Sequence, residues 1–269
     1  MPKHILVAHD LSLEADIAVR RAAQLAREHD ASVSLLHVIE ETFPAPVLAR
    51  VKEAADVALQ ESARNNRLEQ CQRLIRQGRA TAVIGASAET LRADLLVIGA
   101  HHRQFLESFD GTTLEQIIRT CQVPALLAIA SEPQPYDRAL CALDFSVGAC
   151  NAWCAACAWL APHAELLALH AYDAGRDADK TQARLDEQRA LLEQLIRDES
   201  ARVGGSLPRL QCRVSPAAIQ TALDEVIDDW QPDLLVLGSR SRGALQQALL
   251  GSTARYYLRR PPCDLLISA

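Results

Sequence analysis

Short apolar runs alternate with longer segments of helical period along the whole chain. The run from Asp94 to Gly99 is apolar at nearly every position between its ends, as is typical of a strand buried on both faces of a parallel sheet. The longer segments show the spacing of amphipathic helices. We predict strands at 4–8, 33–38, 70–76, 94–99, 124–129, 138–143, 165–170, 209–214, 233–238 and 264–268. We predict helices at 13–28, 47–64, 80–91, 112–120, 147–160, 179–202, 217–229 and 252–259.

The second half of the chain repeats the landmarks of the first half in the same order. An apolar run that ends in Asp-x-Ser occurs at Asp10 and again at Asp144, 134 positions later. The run that ends at Gly99 recurs as the run that ends at Gly238. Between the halves, residues 131–135 include two prolines, which fit neither a helix interior nor a central strand. We therefore predict two domains, at 1–131 and 136–269.

The alternation of strands and helices predicts the α/β fold class. Right-handed crossovers then make each half a doubly wound domain, with a five-stranded parallel sheet flanked by helices. In such a sheet, ligands bind beyond the carboxyl ends of the strands, where the strand order reverses. Ligand-binding residues are therefore expected among the residues that follow each strand.

Composition and charge exclude several classes of protein. The net charge is −6 and both halves are mildly acidic, so no basic surface is expected for nucleic acid. The longest apolar runs are far shorter than the roughly 20 residues that cross a bilayer. The first residues do not resemble a signal peptide, so a cytoplasmic location is expected. The eight cysteines are then expected to be free, buried thiols.

A phosphate-binding loop is predicted after the fourth strand of the second half. Backbone amides and hydroxyls at a helix N-terminus favour phosphate oxygens, and glycines allow close backbone approach. Arginines between the strand and the helix would add charge-assisted hydrogen bonds. The candidate contacts are Gly238, Arg240, Ser241, Arg242, Gly251, Ser252 and Thr253.

Asp144 follows the first strand of the second half and has two interpretations. As a ligand contact, its carboxylate would accept hydrogen bonds from a ribose hydroxyl or a base amine. As a structural feature, Asp144 and Ser146 would cap the helix predicted to begin at Val147, and capping explains Asp-x-Ser without any ligand. The sequence leaves both interpretations open.

These features resemble the universal stress protein family in its two-domain form. The resemblance rests on Asp144, the spacing Gly-x2-Gly-x9-Gly-Ser and the tandem repeat, and it covers essentially the whole chain. It implies an adenine nucleotide alpha hydrolase-like fold, pairing of the domains through their last strands and, in some members, ATP binding. It places the nucleotide contacts on Asp144, Ala171, Gly238, Ser241, Gly251, Ser252 and Thr253. Ser241 departs from the pattern, because it stands where the family has its second glycine.

The first half departs further from the same pattern. His102 replaces the second glycine, and only eight residues separate it from Gly111. Glu107 and Asp110 in this loop would repel phosphate. We therefore expect a degenerate nucleotide loop in the first domain and a near-intact one in the second.

Two further clusters carry alternative interpretations. His9, His101 and His102 follow predicted strands of the first half, and His37 lies at the end of another strand. Together with Asp10, these imidazoles would suit zinc. Alternatively, His37 and its repeat equivalent His170 serve the fold, and His101 and His102 lie on a solvated loop. Cysteines 154 and 157 have redox spacing, but with Cys150 they share one face of an alanine-rich helix, which indicates a buried face.

We expect a cytoplasmic stress-response regulator that binds ATP, with or without Mg²⁺, or a related adenine nucleotide, in its second domain. The sequence has no Gly-x-Ser-x-Gly elbow, no Gly-x4-Gly-Lys loop and no paired catalytic carboxylates, so an enzyme is not expected. The alternatives are slow ATP hydrolysis, metal or small-molecule binding in the first domain, and a nucleotide-independent interaction module. Apolar last strands suggest self-association, between the domains or as a homodimer. Neither nucleic acid nor a membrane span is expected.

Overall fold

Two units of nearly equal length make up the chain. The structure is a computed structural model that describes residues 4–99, 113–172, 178–239 and 250–269. Unit 1 comprises residues 1–135 and unit 2 comprises residues 136–269. Each unit is a parallel sheet flanked by helices, so the predicted α/β class with two repeated domains is confirmed.

Unit 1 has five parallel strands in the order β3-β2-β1-β4-β5. Its elements are β1 (His4–Ala8), α1 (Ala15–His29), β2 (Ser32–Ile39), α2 (Ala45–Asn65), β3 (Gln72–Gln77), α3 (Ala80–Thr90), β4 (Leu95–Gly99), α4 (Thr113–Thr120) and β5 (Ala125–Ala128). The strand order reverses between β1 and β4, because the chain runs outward from β1 to β3 and then crosses to the other side of β1.

Unit 2 repeats this topology with the order β10-β9-β6-β7-β8, again all parallel. Its elements are β6 (Arg138–Ala142), α5 (Val147–Trp159), β7 (Glu165–Ala171), α6 (Ala178–Val203), β8 (Arg209–Ser215), α7 (Ile219–Trp230), β9 (Leu234–Gly238), α8 (Ser252–Arg259) and β10 (Asp264–Ser268). Every predicted strand and helix is present, with bounds within two residues of the prediction. The strand order reverses between β6 and β9.

Burial explains why the apolar runs identify the strands. All five residues of β4 are buried, as are all five of β10, because helices cover both faces of the sheet. The outer strand β8 instead alternates between exposed and partly buried positions until its last residue. Full burial of a single leucine such as Leu6 or Leu96 contributes roughly 2 kcal/mol. Among the helices that the described residues form, none combines the length and apolarity needed to cross a membrane.

Candidate functional site

A cavity of about 240 Å³ lies in unit 2 at the carboxyl ends of β6, β7 and β9. This is the point at which the strand order reverses, where ligands bind in sheets of this kind. Six predicted contacts line it: Asp144, Ala171, Gly238, Gly251, Ser252 and Thr253. Ala171 is the last residue of β7, not the residue after the strand. Arg240, Ser241 and Arg242 lie outside the described residues.

Asp144 closes the turn between β6 and α5. Its Oδ1 atom accepts a hydrogen bond from the amide of Ser146 at 3.0 Å. Ser146 is the N-cap of α5, and its Oγ atom accepts from the amide of Ala149 at 3.2 Å. The capping interpretation therefore holds for Ser146. Asp144 stabilises the turn and also lines the cavity, so the two interpretations of this residue are compatible.

The middle residue of this turn has a left-handed backbone in both units. Phe145 has a φ of 60° and its repeat equivalent Leu11 has a φ of 69°. For a bulky side chain this conformation costs roughly 1–2 kcal/mol. In unit 1, Asp10 Oδ1 likewise accepts from the amide of Ser12 at 3.1 Å. The Asp-x-Ser repeat thus encodes the same turn twice.

Gly238 is required by the packing of α5 against β9. A Cβ atom at this position would lie 2.7 Å from the amide nitrogen of Ala149 and 2.8 Å from the carbonyl carbon of Gly148. Gly99 has the same role in unit 1, where a Cβ atom would lie 2.8 Å from the carbonyl oxygen of Glu14. Both glycines therefore allow close approach of the backbone at the start of a helix. Close approach of a phosphate to Gly238 stays a prediction.

The start of α8 also lines the cavity. Gly251 is the N-cap, and its amide donates to the carbonyl oxygen of Ser239 at 2.9 Å. Ser252 and Thr253 are the first two residues of the helix, whose amides have no carbonyl within the helix to bond. Such a helix start suits an anion.

Residues that were not among the predicted contacts also line the cavity, among them Leu143, His170 and Ile219. The repeat predicts His170 only as a residue that stabilises the fold. Its position near the carboxyl end of a predicted strand was a usable signal, because such positions face the ligand crevice in a parallel sheet. Ile219 begins α7, and only the packing of that helix brings it to the site.

In unit 1 the residue equivalent to Leu143 is His9, which is 6% exposed. Its Nδ1 atom accepts from the amide of Leu11 at 2.9 Å, so Nε2 carries the proton and donates to Asp16 Oδ1 at 3.2 Å. The hydroxyl of Ser62 also donates to that oxygen. Burial lowers the pKa of His9, while the Asp16 carboxylate acts in the opposite direction. His9 is therefore a neutral, hydrogen-bonded core residue.

The histidines at the second strand of each unit make equivalent hydrogen bonds. His37 Nδ1 lies 2.9 Å from the carbonyl oxygen of His9, and His170 Nδ1 lies 2.6 Å from that of Leu143. This supports the interpretation that both serve the fold. Within the described ranges, no three His, Cys, Asp or Glu residues are arranged to hold a metal. His101 and His102, which the zinc alternative includes, lie outside those ranges.

The cysteines of α5 are protonated thiols. All eight cysteines of the chain are free. Burial raises the pKa of Cys157 to about 12. Burial also raises the pKa of Cys154 to about 11, with a further contribution from the Glu199 carboxylate. A redox dithiol needs an accessible thiolate, so these values favour the interpretation of a buried helix face.

Comparison with known proteins identifies the family. The family model described as "Universal stress protein family" matches residues 1–128 and 135–268. The universal stress protein A homolog of Haemophilus influenzae is 29% identical over 137 residues, which cover 47% of this chain and 96% of the relative. Universal stress protein A of Escherichia coli (strain K12) is 30% identical over 135 residues, which cover 46% of this chain and 92% of the relative.

A solved structure has the same fold along nearly the whole chain. The crystal structure of a universal stress protein from Archaeoglobus fulgidus has a TM-score of 0.72 and 19% identity, and the match covers 98% of this chain and 97% of that one. The single-domain relatives match about half of this chain, and the family model matches both halves. The chain therefore belongs to the universal stress protein family and carries two family domains in tandem.

Proposed function

We propose that unit 2 binds ATP or a related adenine nucleotide in its cavity, and that the protein is a stress-response regulator and not a metabolic enzyme. One observation carries the proposal. Residues predicted as ligand contacts from distant parts of the sequence line one cavity at the reversal of strand order. Membership of the universal stress protein family supports the stress-response role.

The residues that line the cavity indicate how a nucleotide would be oriented in it. The amides and hydroxyls at Ser252 and Thr253 suit phosphate oxygens. The Asp144 carboxylate suits a ribose hydroxyl or a base amine, and Leu143, Ile219 and Leu237 offer apolar surface to a base. Mg²⁺ bound to the phosphates is compatible with this lining, because Mg²⁺ needs few protein oxygen ligands when phosphates supply the others.

The remaining parts of the proposal rest on the sequence. Arg240, Ser241 and Arg242 would complete the phosphate contacts from the loop after β9. The first unit would lack this site or hold a different one, since its loop carries His102 and acidic residues. Self-association through the last strands and a cytoplasmic location stay predictions.

Calorimetric titration with Mg-ATP tests the proposal. Wild-type protein is expected to bind one equivalent per chain. Asp144→Ala should weaken binding at least about tenfold, because a charged hydrogen-bond acceptor is lost. Asp10→Ala removes the equivalent carboxylate from the same turn in unit 1 and should leave the affinity unchanged. No heat and no thermal shift at millimolar Mg-ATP would refute nucleotide binding and favour an interaction module.

Slow ATP hydrolysis is tested with the same protein. Gly251→Glu places a carboxylate at the N-cap of α8, where it would repel phosphate. Phosphate release that persists unchanged in this variant comes from a contaminant.

A further inference from the structure

The side chain of His170 contacts both neighbours of Asp144. His170 is the sixth residue of β7, is 7% exposed and lines the cavity. Its Nδ1 atom lies 2.6 Å from the carbonyl oxygen of Leu143. Its ring meets the Phe145 ring edge-on, with the ring centroids 4.7 Å apart. One buried imidazole therefore holds the residues on either side of the carboxylate.

The hydrogen bond between His170 and Leu143 determines the tautomer of the His170 ring and holds the backbone just before Asp144. A carbonyl oxygen only accepts, so Nδ1 of His170 carries the proton and donates to Leu143. The Leu143 amide donates in turn to the carbonyl oxygen of Leu169 at 2.9 Å. Strand β7 thus binds both polar backbone groups of the residue immediately before Asp144.

The ring contact supports a strained turn. A left-handed backbone at Phe145 persists only where surrounding contacts impose it. The His170 ring provides one such contact, and the hydrogen bond from the Ser146 amide to Asp144 provides another. Loss of the His170 contacts would let the turn relax and change the direction of the Asp144 carboxylate.

Unit 1 offers an internal comparison. His37 makes the equivalent hydrogen bond to the carbonyl oxygen of His9. The middle residue of the turn is Leu11, which has no ring and is 37% exposed. The hydrogen bond is therefore common to both units, whereas the edge-on ring contact belongs to the turn that lines the described cavity.

We propose that His170 is a positioning residue that orients Asp144 towards the nucleoside end of a bound adenine nucleotide. This inference rests on the proposed function. His170 acts on the ligand through the turn from Leu143 to Phe145, and α8 forms the phosphate end from a different part of the chain. Its removal should therefore weaken the contribution of Asp144 to binding.

Calorimetry with Mg-ATP on the full chain tests this role with matched variants. His170→Phe keeps a ring, removes the donor and should weaken binding about tenfold. His170→Asn places an amide N–H close to the position of Nδ1 but removes the ring contact with Phe145. It should therefore weaken binding less than His170→Phe does, by no more than about threefold, because it keeps the hydrogen bond to Leu143. His37→Phe makes the same change in unit 1 and should leave the affinity unchanged. His170→Leu replaces His170→Phe if thermal unfolding shows that the latter is not folded.

A double-mutant cycle with Asp144→Ala separates positioning from general damage to the fold. In the Asp144→Ala background, His170→Phe should cause little further loss, because no carboxylate remains to be oriented. Equal losses in both backgrounds would overturn the positioning role, as would an affinity for His170→Phe equal to that of wild type. Wild-type protein that binds no Mg-ATP would overturn the proposed function itself, and with it this inference.

Discussion

Acid is expected to destabilise unit 1 through His9, which is buried at the carboxyl end of β1. The neutral ring suits its surroundings, because Nδ1 accepts the amide hydrogen of Leu11 and Nε2 donates to Asp16. A proton added at Nδ1 would face the Leu11 amide hydrogen, so the protonated ring would lose this hydrogen bond. Burial is the main reason that the pKa of His9 lies below its ordinary value of 6.5.

The sign of the effect follows from proton linkage. Between the lowered pKa of folded His9 and the value of 6.5 in the unfolded chain, the unfolded state binds more protons. The contribution of His9 to stability is therefore complete above pH 6.5 and is lost as the pH falls towards the folded-state pKa. For one proton, the free energy of unfolding changes by at most about 1.4 kcal/mol per pH unit. Asp16 and Asp10 oppose this effect, and His37 adds to it.

His9→Asn is the matched control. Its amide oxygen can accept from the Leu11 amide, and it does not titrate. Urea unfolding of both proteins between about pH 7.5 and 5.5 measures the difference in the free energy of unfolding. Far-UV circular dichroism follows both units, whereas tryptophan fluorescence follows unit 2, because Trp153, Trp159 and Trp230 all lie there.

Wild-type protein is expected to lose more stability than His9→Asn over this pH interval. The difference should appear in the circular dichroism transition and less in the fluorescence transition. A parallel loss in the two proteins would refute the reasoning, because it would assign the acid effect to carboxylates that both proteins share.

Gly238→Ala is expected to destabilise unit 2 by about 1–3 kcal/mol, because the new Cβ would lie 2.7 Å from the amide nitrogen of Ala149. Urea unfolding followed by tryptophan fluorescence measures this loss of stability, and Gly99→Ala makes the equivalent change in unit 1. An unchanged unfolding midpoint for Gly238→Ala would contradict the packing argument. Cys157 is expected to react slowly with a thiol reagent in the native protein at neutral pH, since burial raises its pKa to about 12. Mass spectrometry of the labelled peptide measures the rate of this reaction, with urea-unfolded protein as the control. Rapid labelling of Cys157 in the native protein would contradict the expectation.

The amino-acid sequence by itself determines the fold class, the repeat and the order of the elements. The run from Leu95 to Gly99 is readable as a strand because both of its faces are buried, so every position must be apolar. The Asp-x-Ser turns at Asp10 and Asp144 are equally readable, since their hydrogen bonds join residues two or three positions apart. The strand-order rule then indicates where the cavity lies, and six of the predicted contacts line it.

Only the tertiary structure decides which side chains meet across elements. His9, Asp16 and Ser62 come from a strand end and two helices, and no spacing in the sequence indicates that they share hydrogen bonds. His170 reaches Leu143 and Phe145 in the same way, through the pairing of β6 with β7. The physical reason is that local periodicity reports the burial of each residue, whereas the partner of a buried polar group depends on how separate elements pack.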